Sequence, residues 1–388
     1  MSIIIFIIIL LVLVLVHEFG HFFTAKRFGI RVDEFGFGFP PKLFSFKKGE
    51  TEYSFNLLPL GGFVKIFGES LNEADLVEVG FLETAEVGLP PASGSPTSAS
   101  RSLSHKPKYQ QAAVLFAGIF ANFLLAWLLF SISFMSGFPT SVGSEIAGSK
   151  LQDVNLVVTS VLAKSPAENA GLKIGDKIIS ISLPASSNSA DYIKNPNPTQ
   201  VQNLIASYNA KGSGGIAIQY QRADKENFII LNPDLTGGKP HIGISMDEIG
   251  VAKLPFFTAL WEGMRLDLLM TKNTAVGLYT LVSEAISGKG SFTSVTGPVG
   301  MVGIVGDAYQ FGFVYLLSFA ALISINLAII NLLPFPALDG GRLFFLLIEK
   351  IKGSRINPKI TDTANMIGFY LLIFLMLIIT YHDVIKLF

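Results

Sequence analysis

The chain has 388 residues; 50% are hydrophobic, 15% are charged, and 29 basic residues balance 29 acidic ones. That composition is too apolar for a soluble enzyme and suits a polytopic membrane protein, and zero net charge implies no nucleic-acid partner. Without cysteine, disulfides and thiol catalysis are excluded, so any metal site must draw on carboxylates and on His17, His21, His105, His241 and His382.

The fold class expected is a polytopic α-helical membrane protein with about four transmembrane helices, an extracytoplasmic β-rich domain and a small membrane-associated β element. The first span, about Ile3 to Ala25 within segment 1–32, lacks a basic leader and a small-residue cleavage site, and it carries His17, Glu18 and His21. It reads as a retained helix rather than a cleaved signal. Residues 33–68 are rich in Phe and Gly. The run Tyr53 to Leu57 and, after a Gly turn, the run Leu60 to Ile66 read as strands of a hairpin or small sheet on the cytoplasmic face. Residues 69–104 turn acidic and then Pro/Ser/Ala/Gly-rich, a linker composition.

Segment 108–136 holds the second span, about Ala112 to Met135. Residues 151–247 alternate apolar and polar in short runs separated by Gly turns, with a helical stretch near Pro198 to Asn209, and read as one β-rich domain. Residues 255–287 mix apolar residues with Glu262, Arg265, Asp267 and Lys272, the pattern of an amphipathic helix on the outer membrane surface. Segment 312–342 holds the third span, about Gly312 to Leu333, and segment 364–388 the fourth, about Met366 to Tyr381. Lys26, Arg27 and Arg31 follow the first span, Lys106 and Lys108 precede the second, and five basic residues from Arg342 to Lys359 join the third to the fourth. By the positive-inside rule those connections are cytoplasmic, and the termini and the β-rich domain lie outside.

His17-Glu18-Phe19-Gly20-His21 is an H-E-x-x-H pattern. On a helix, positions i and i+4 share a face, so both imidazoles reach one ion and the glutamate between them stands ready to take a proton from an attacking water. The bland alternative is a polar patch packed against neighbouring helices. It is expensive inside a span, where each ionisable side chain costs ~2.5–3.5 kcal/mol near the centre on insertion scales. From Ile3 to His17 is about 21 Å of helix, against a hydrocarbon core about 30 Å thick, so the pattern falls in its cytoplasmic third.

Two histidines leave a catalytic Zn2+ one protein ligand short. Asp339, in Asn331-Leu332-Leu333-Pro334-Phe335-Pro336-Ala337-Leu338-Asp339-Gly340-Gly341, returns to the same depth at the end of the third span. Pro334 and Pro336 break the helix there, and Gly340 and Gly341 free the backbone. An ordinary turn after a span remains the alternative. His105, His241 and His382 sit in contexts better suited to surface or turn roles.

Several runs in order make the chain resemble the site-2 protease family, in its bacterial regulator-of-sigma-E protease branch: His17 to His21, Pro59 to Glu69, Ala117 to Phe123, Thr296 to Met301 and Ser324 to Arg342. The resemblance implies an intramembrane zinc metalloendopeptidase of the bacterial inner membrane, with its active site near the cytoplasmic side. It implies Zn2+ held by His17, His21 and Asp339, Glu18 as catalytic base, and Asn326 and Asn331 as residues that engage an unwound substrate. The substrates implied are single-pass transmembrane proteins or peptides, such as anti-sigma factors or remnant signal peptides, reached within the lipid bilayer. One departure is Ile119 after Gly118, where the family motif has proline; Asn122 is kept. The run Ser165 to Asp176 resembles a PDZ domain, and a single such domain is expected. A membrane-bound PDZ adaptor with a vestigial metal site and a broken-helix transporter are the rival readings.

Overall fold

A computed structural model describes residues 1–69, 100–144, 151–183, 192–208, 214–222, 225–236, 239–288 and 296–386. Most of the segment expected as a linker therefore lies outside the described residues. The chain divides into two compact units: one formed by residues 1–130, 263–309 and 316–388, the other by residues 131–262 and 310–315.

Among the described residues, four helices are long and apolar enough to cross a membrane, and the first unit holds them: α1 (Ser2–Arg27), α2 (Lys108–Ser136, to residue 130), α7 (Phe313–Leu332, from residue 316) and α9 (Pro358–Lys386). Their outward faces are apolar: Ile4, Ile8, Val12 and Phe23 on α1 and Phe369, Leu371, Phe374 and Leu377 on α9 are exposed. Exposed in water, such stripes would forfeit about 25 cal/mol for every Å² left unburied. In hydrocarbon they cost nothing, and with backbone groups paired inside each helix this is the arrangement a bilayer selects.

After α1, β1 (Val32–Lys48) pairs antiparallel with β2 (Thr51–Ile66), and the register is doubled: Phe35 is matched with both Tyr53 and Val64, and Phe37 with both Phe55 and Gly62. The sequence suggests a break at Leu60-Gly61-Gly62, yet β2 runs on through it. It folds back across β1 because Gly36 and Gly62 leave no side chains in the way, so that the Phe63 ring packs directly over Gly36. Main-chain bonds from Arg31 to Arg101, from Phe67 to Arg31 and from Leu103 to Phe67 stitch the sheet to the approach of α2. Ala25, Ile30, Val32, Ile66, Leu103 and Val114 form a small core beneath that seam. At the hairpin tip Glu50 accepts from Lys26 (2.6 Å) and Arg101 (2.7 Å). Partial burial pushes its carboxyl up, but the two cations together hold it below the usual carboxylate range.

The second unit is built on a seven-stranded sheet containing β3 (Phe138–Ser141), β4 (Gln152–Val161), β5 (Lys177–Ser182), β6 (Tyr192–Lys194), β7 (Ile216–Arg222), β8 (Lys225–Leu231) and β11 (Ile244–Ala252). The order is β3-β11-β4-β5-β7-β8, with β6 on β5, and β9 (Asp234–Thr236) and β10 (Lys239–His241) make a separate ribbon. The sheet takes in residues on both sides of 151–247: β3 is four residues long, too short for an alternation signal, and is a strand only because β11 pairs with it from Ile249 to Ala252. Two helices are started by their own sequences. Ser165 caps α3 (Pro166–Asn169), and Asn197 with Gln200 makes a capping box on α4 (Pro198–Ala206). Val158, Ile181, Val201, Ile216 and Ile218 centre the core. Asp176, fully buried, is held by two bonds from Arg222 at 2.7 Å and by the Lys173 amide at 2.8 Å, which fixes the loop after α3.

Three helices complete the chain: α5 (Phe256–Ile286), α6 (Pro298–Phe311) and α8 (Asp339–Lys352). The last two are not apparent as separate elements from composition. Gly312, at φ 111°, separates α6 from α7. Asp383 of α9 caps the start of α6: its carboxylate accepts from the Gly300 amide at 2.9 Å, and a Cβ on Gly297 would lie 2.8 Å from the same oxygen. The Thr296 to Met301 run therefore leaves room for a cap supplied by another helix. Asp383→Ala should lower stability by about 1–2 kcal/mol, read as a reduced thermal midpoint in detergent, whereas Asp383→Asn, which keeps an acceptor, should lose less.

Candidate metal centre

His17 and His21 project from one face of α1, both buried, with their rings edge to face at a centroid separation of 4.8 Å. Their Nε2 atoms are 3.2 Å apart. Both are aimed at one point, which suits ligands of a common cation.

Helix α2 crosses directly over these rings. Gly20 of α1 makes the close approach possible, since a Cβ there would lie 2.3 Å from the Ala117 carbonyl oxygen. Gly118 does the same from the other side, where a Cβ would lie 2.3 Å from His21 Nε2 and 2.9 Å from His17 Cε1. One turn before Gly118, the Val114 carbonyl accepts from His21 Nδ1 at 2.8 Å; one turn after it, the Asn122 amide lies 3.2 Å from His17 Nδ1. Residues 114, 118 and 122 thus make one stripe of α2 that faces the two imidazoles. The helix is unbroken through Ile119, so the missing proline leaves it regular.

Asp339 arrives from the far end of the chain. Past α7, Pro334 and Pro336 end the helix, and Ala337 takes a left-handed conformation at φ 75°. Asn365 of α9 accepts from the Ala337 amide at 3.1 Å and fixes the loop. Helix α8 then starts against the end of α7: a Cβ on Gly340 would lie 2.2 Å from the Leu333 carbonyl oxygen, and one on Gly341 2.1 Å from that of Phe335. Only glycine fits at either position, and the packing sets Asp339 Oδ2 3.0 Å from His17 Nε2 and 3.2 Å from His21 Nε2. A tetrahedral zinc ion with bonds of about 2.0–2.1 Å needs ligand atoms about 3.3 Å apart. Among the described residues, His17, His21 and Asp339 are the group able to hold a metal ion, and three protein ligands leave a fourth position open.

Glu18, half-buried, lies beside the triad. Gly62 of β2 approaches it, its position for a Cβ falling 3.5 Å from Glu18 Cγ. Arg342, in the first turn of α8, pairs with Glu69, and both line a cavity of about 360 Å³ that also reaches Lys108, Glu349 and Asn365. Asn326 and Asn331 lie on α7, the first exposed and the second half-buried, and neither joins the triad. His105 lies in a short 3-10 turn, His241 in β10 and His382 in α9. The Val114 carbonyl and Asn365 escape a reading by motif, and the runs that contain Gly118, Glu69 and Arg342 do not show what those residues touch. A main-chain oxygen leaves no signature, and only the four-residue spacing of Gly118 and Asn122 hints at their shared face.

A further test of this geometry follows from Gly340. Gly340→Ala touches no ligand, but it must push α8 off the end of α7 and move Asp339. Zinc affinity, measured by chelator competition, should fall roughly tenfold or more, while Gly353→Ala, where the added Cβ meets open space, should leave it near wild type.

The sequence model described as Peptidase family M50 matches residues 5–375. A provisionally named zinc metalloprotease of Fusobacterium nucleatum is 32% identical over the whole of both chains. One of Clostridium perfringens, also provisionally named, is 33% identical over 96% of this chain and 95% of its own. The zinc metalloprotease RasP of Geobacillus kaustophilus is 30% identical over all of this chain and 98% of its own.

Proposed function

Because the chain belongs to peptidase family M50 and is a membrane zinc metalloprotease, we propose that it hydrolyses peptide bonds within the transmembrane segments of membrane proteins, with His17, His21 and Asp339 holding the zinc and Glu18 as the catalytic base. The observation that carries this reading is the convergence of three candidate ligand atoms within 3.0–3.2 Å of one another, two of them on a helix whose other faces are apolar and outward. A protease whose ligands stand on a membrane-spanning helix meets substrate there.

The chemistry zinc supplies when bound is Lewis acidity, which polarises a carbonyl and makes water easier to deprotonate. The protein does the rest. Glu18 takes the proton of the attacking water and delivers it to the nitrogen of the leaving amine. A helical substrate hides its carbonyls in its own hydrogen bonds, so it must unwind locally before it reacts. Asn326, exposed on α7, and Asn331, half-buried at its end, offer amide donors and acceptors to the freed backbone. The substrates are single-pass membrane proteins, such as anti-sigma factors or remnant signal peptides, and the membrane is the bacterial inner membrane with the active site near its cytoplasmic face.

The β-rich second unit is proposed as an extracytoplasmic PDZ domain that screens substrates. In support, a groove of about 510 Å³ runs between α4 and the start of β11, walled by Leu162, Ile205, Ile242, Ile244 and Met246. That is the apolar channel beside a strand that an added peptide strand requires.

The decisive experiment uses purified protein and a transmembrane peptide. Glu18→Gln keeps size and polarity but cannot accept a proton, so zinc content should match wild type while cleavage falls by about 10²–10⁴-fold. His17→Ala should lose both zinc and cleavage. Wild-type cleavage by Glu18→Gln would overturn the mechanism.

A further inference from the structure

We propose that Asn122 is a positioning residue of the metal centre: its side-chain carbonyl accepts a hydrogen bond from His17 Nδ1 and so holds the ring in the tautomer whose Nε2 is free to bind zinc. The inference rests on His17 being a ligand. Asn122 is fully buried, and its side-chain amide lies 3.2 Å from His17 Nδ1.

The amide has two orientations, one with its nitrogen and one with its oxygen toward the ring. With nitrogen toward the ring, the amide donates to Nδ1, the proton of a neutral imidazole must sit on Nε2, and that N–H points at the other two ligand atoms. With oxygen toward the ring, Nδ1 carries the proton and Nε2 is bare. In the orientation with nitrogen toward the ring, the buried Oδ1 has no partner, so nothing else holds the amide that way round, and the ring decides. His21 settles the matter by example: its Nδ1 donates to the Val114 carbonyl, an acceptor only, which leaves its Nε2 bare beside His17 Nε2. A site with two Nε2 ligands needs an acceptor on both Nδ1 atoms, and Asn122 is the group that supplies the second.

The surroundings fix the amide for this task. The Asn122 main-chain oxygen accepts from Ser324 Oγ of α7 at 2.8 Å, which ties this turn of α2 to the helix that leads to Asp339. Gly118, one turn away, brings α2 close enough for a side chain as short as asparagine to reach the ring. A residue that merely fills this space would need only its volume. A residue that selects a tautomer needs an acceptor, and the two requirements separate in substitution.

The test is zinc affinity by chelator competition on full-length protein in detergent, together with the visible spectrum after cobalt substitution and a thermal midpoint. Asn122→Asp is the acceptor-only isostere; it should bind zinc within about threefold of wild type and keep the cobalt spectrum. Asn122→Leu, of similar volume without an acceptor, should bind about 10–100-fold more weakly. Wild-type affinity in Asn122→Leu overturns the proposal. So does an Asn122→Asp protein as weak as the leucine variant, which would mean that the amide donates or only packs. Should Asn122→Leu fail to fold, the aspartate variant still decides. His17→Ala separates this inference from the reading beneath it: full zinc affinity there overturns the ligand assignment itself, whereas its loss there alongside wild-type binding in Asn122→Leu removes only the role of Asn122.

Discussion

A carboxylate oxygen and two imidazole nitrogens stand 3.0–3.2 Å apart in a unit whose outer surface is hydrocarbon-like. Left to themselves, these groups would repel or take up protons, and burying them is costly in so apolar a setting. A divalent cation turns the same convergence into a strong attraction. Much of the first unit is the framework that makes the convergence possible: α1 carries His17 and His21, α8 carries Asp339, and α2, α7 and α9 pack against these segments.

That framework is built by close backbone approach more than by bulky packing. Gly20 and Gly118 let α1 and α2 meet, and Gly340 and Gly341 let α8 begin against the end of α7. Helices in lipid gain little from burying apolar side chains against one another, since lipid is as apolar as leucine, and small residues at the crossings are the usual remedy. The polar groups left over are then spent on specific tasks. Val114 and Asn122 address the outer nitrogens of the imidazoles, Asn365 holds the loop before Asp339, and Asp383 caps α6.

The second unit follows a different rule. Its sheet encloses an aliphatic core, α3 and α4 are capped by their own sequences, and the fully buried Asp176 is matched by an arginine and a main-chain amide. These are the habits of a domain that folds in water, where burial of apolar area drives folding and every buried charge needs a partner. One chain thus carries two units stabilised in two different solvents.

The sequence by itself determined the four apolar helices, because twenty or so consecutive apolar residues have no other stable home. It also determined the family, through runs such as His17 to His21 and Pro334 to Gly341. It singled out His17, His21 and Asp339, because i and i+4 on a helix share a face and because a charged residue after a broken span needs a reason to be there. Only the tertiary structure decided what surrounds them. Nothing local in Val114 marks its carbonyl as a partner of His21 93 positions away, since every residue has a carbonyl. The doubled register of β1 and β2 arises from a fold-back that a Gly-Gly pair permits but does not dictate, and β3 is a strand only because β11 lies beside it. Asp383 reads in the sequence as a stray charge near the end of a span; that it caps α6 depends on how two helices separated by α7, the Asp339 loop and α8 come to lie side by side, and that is settled by packing, which no stretch of sequence contains on its own.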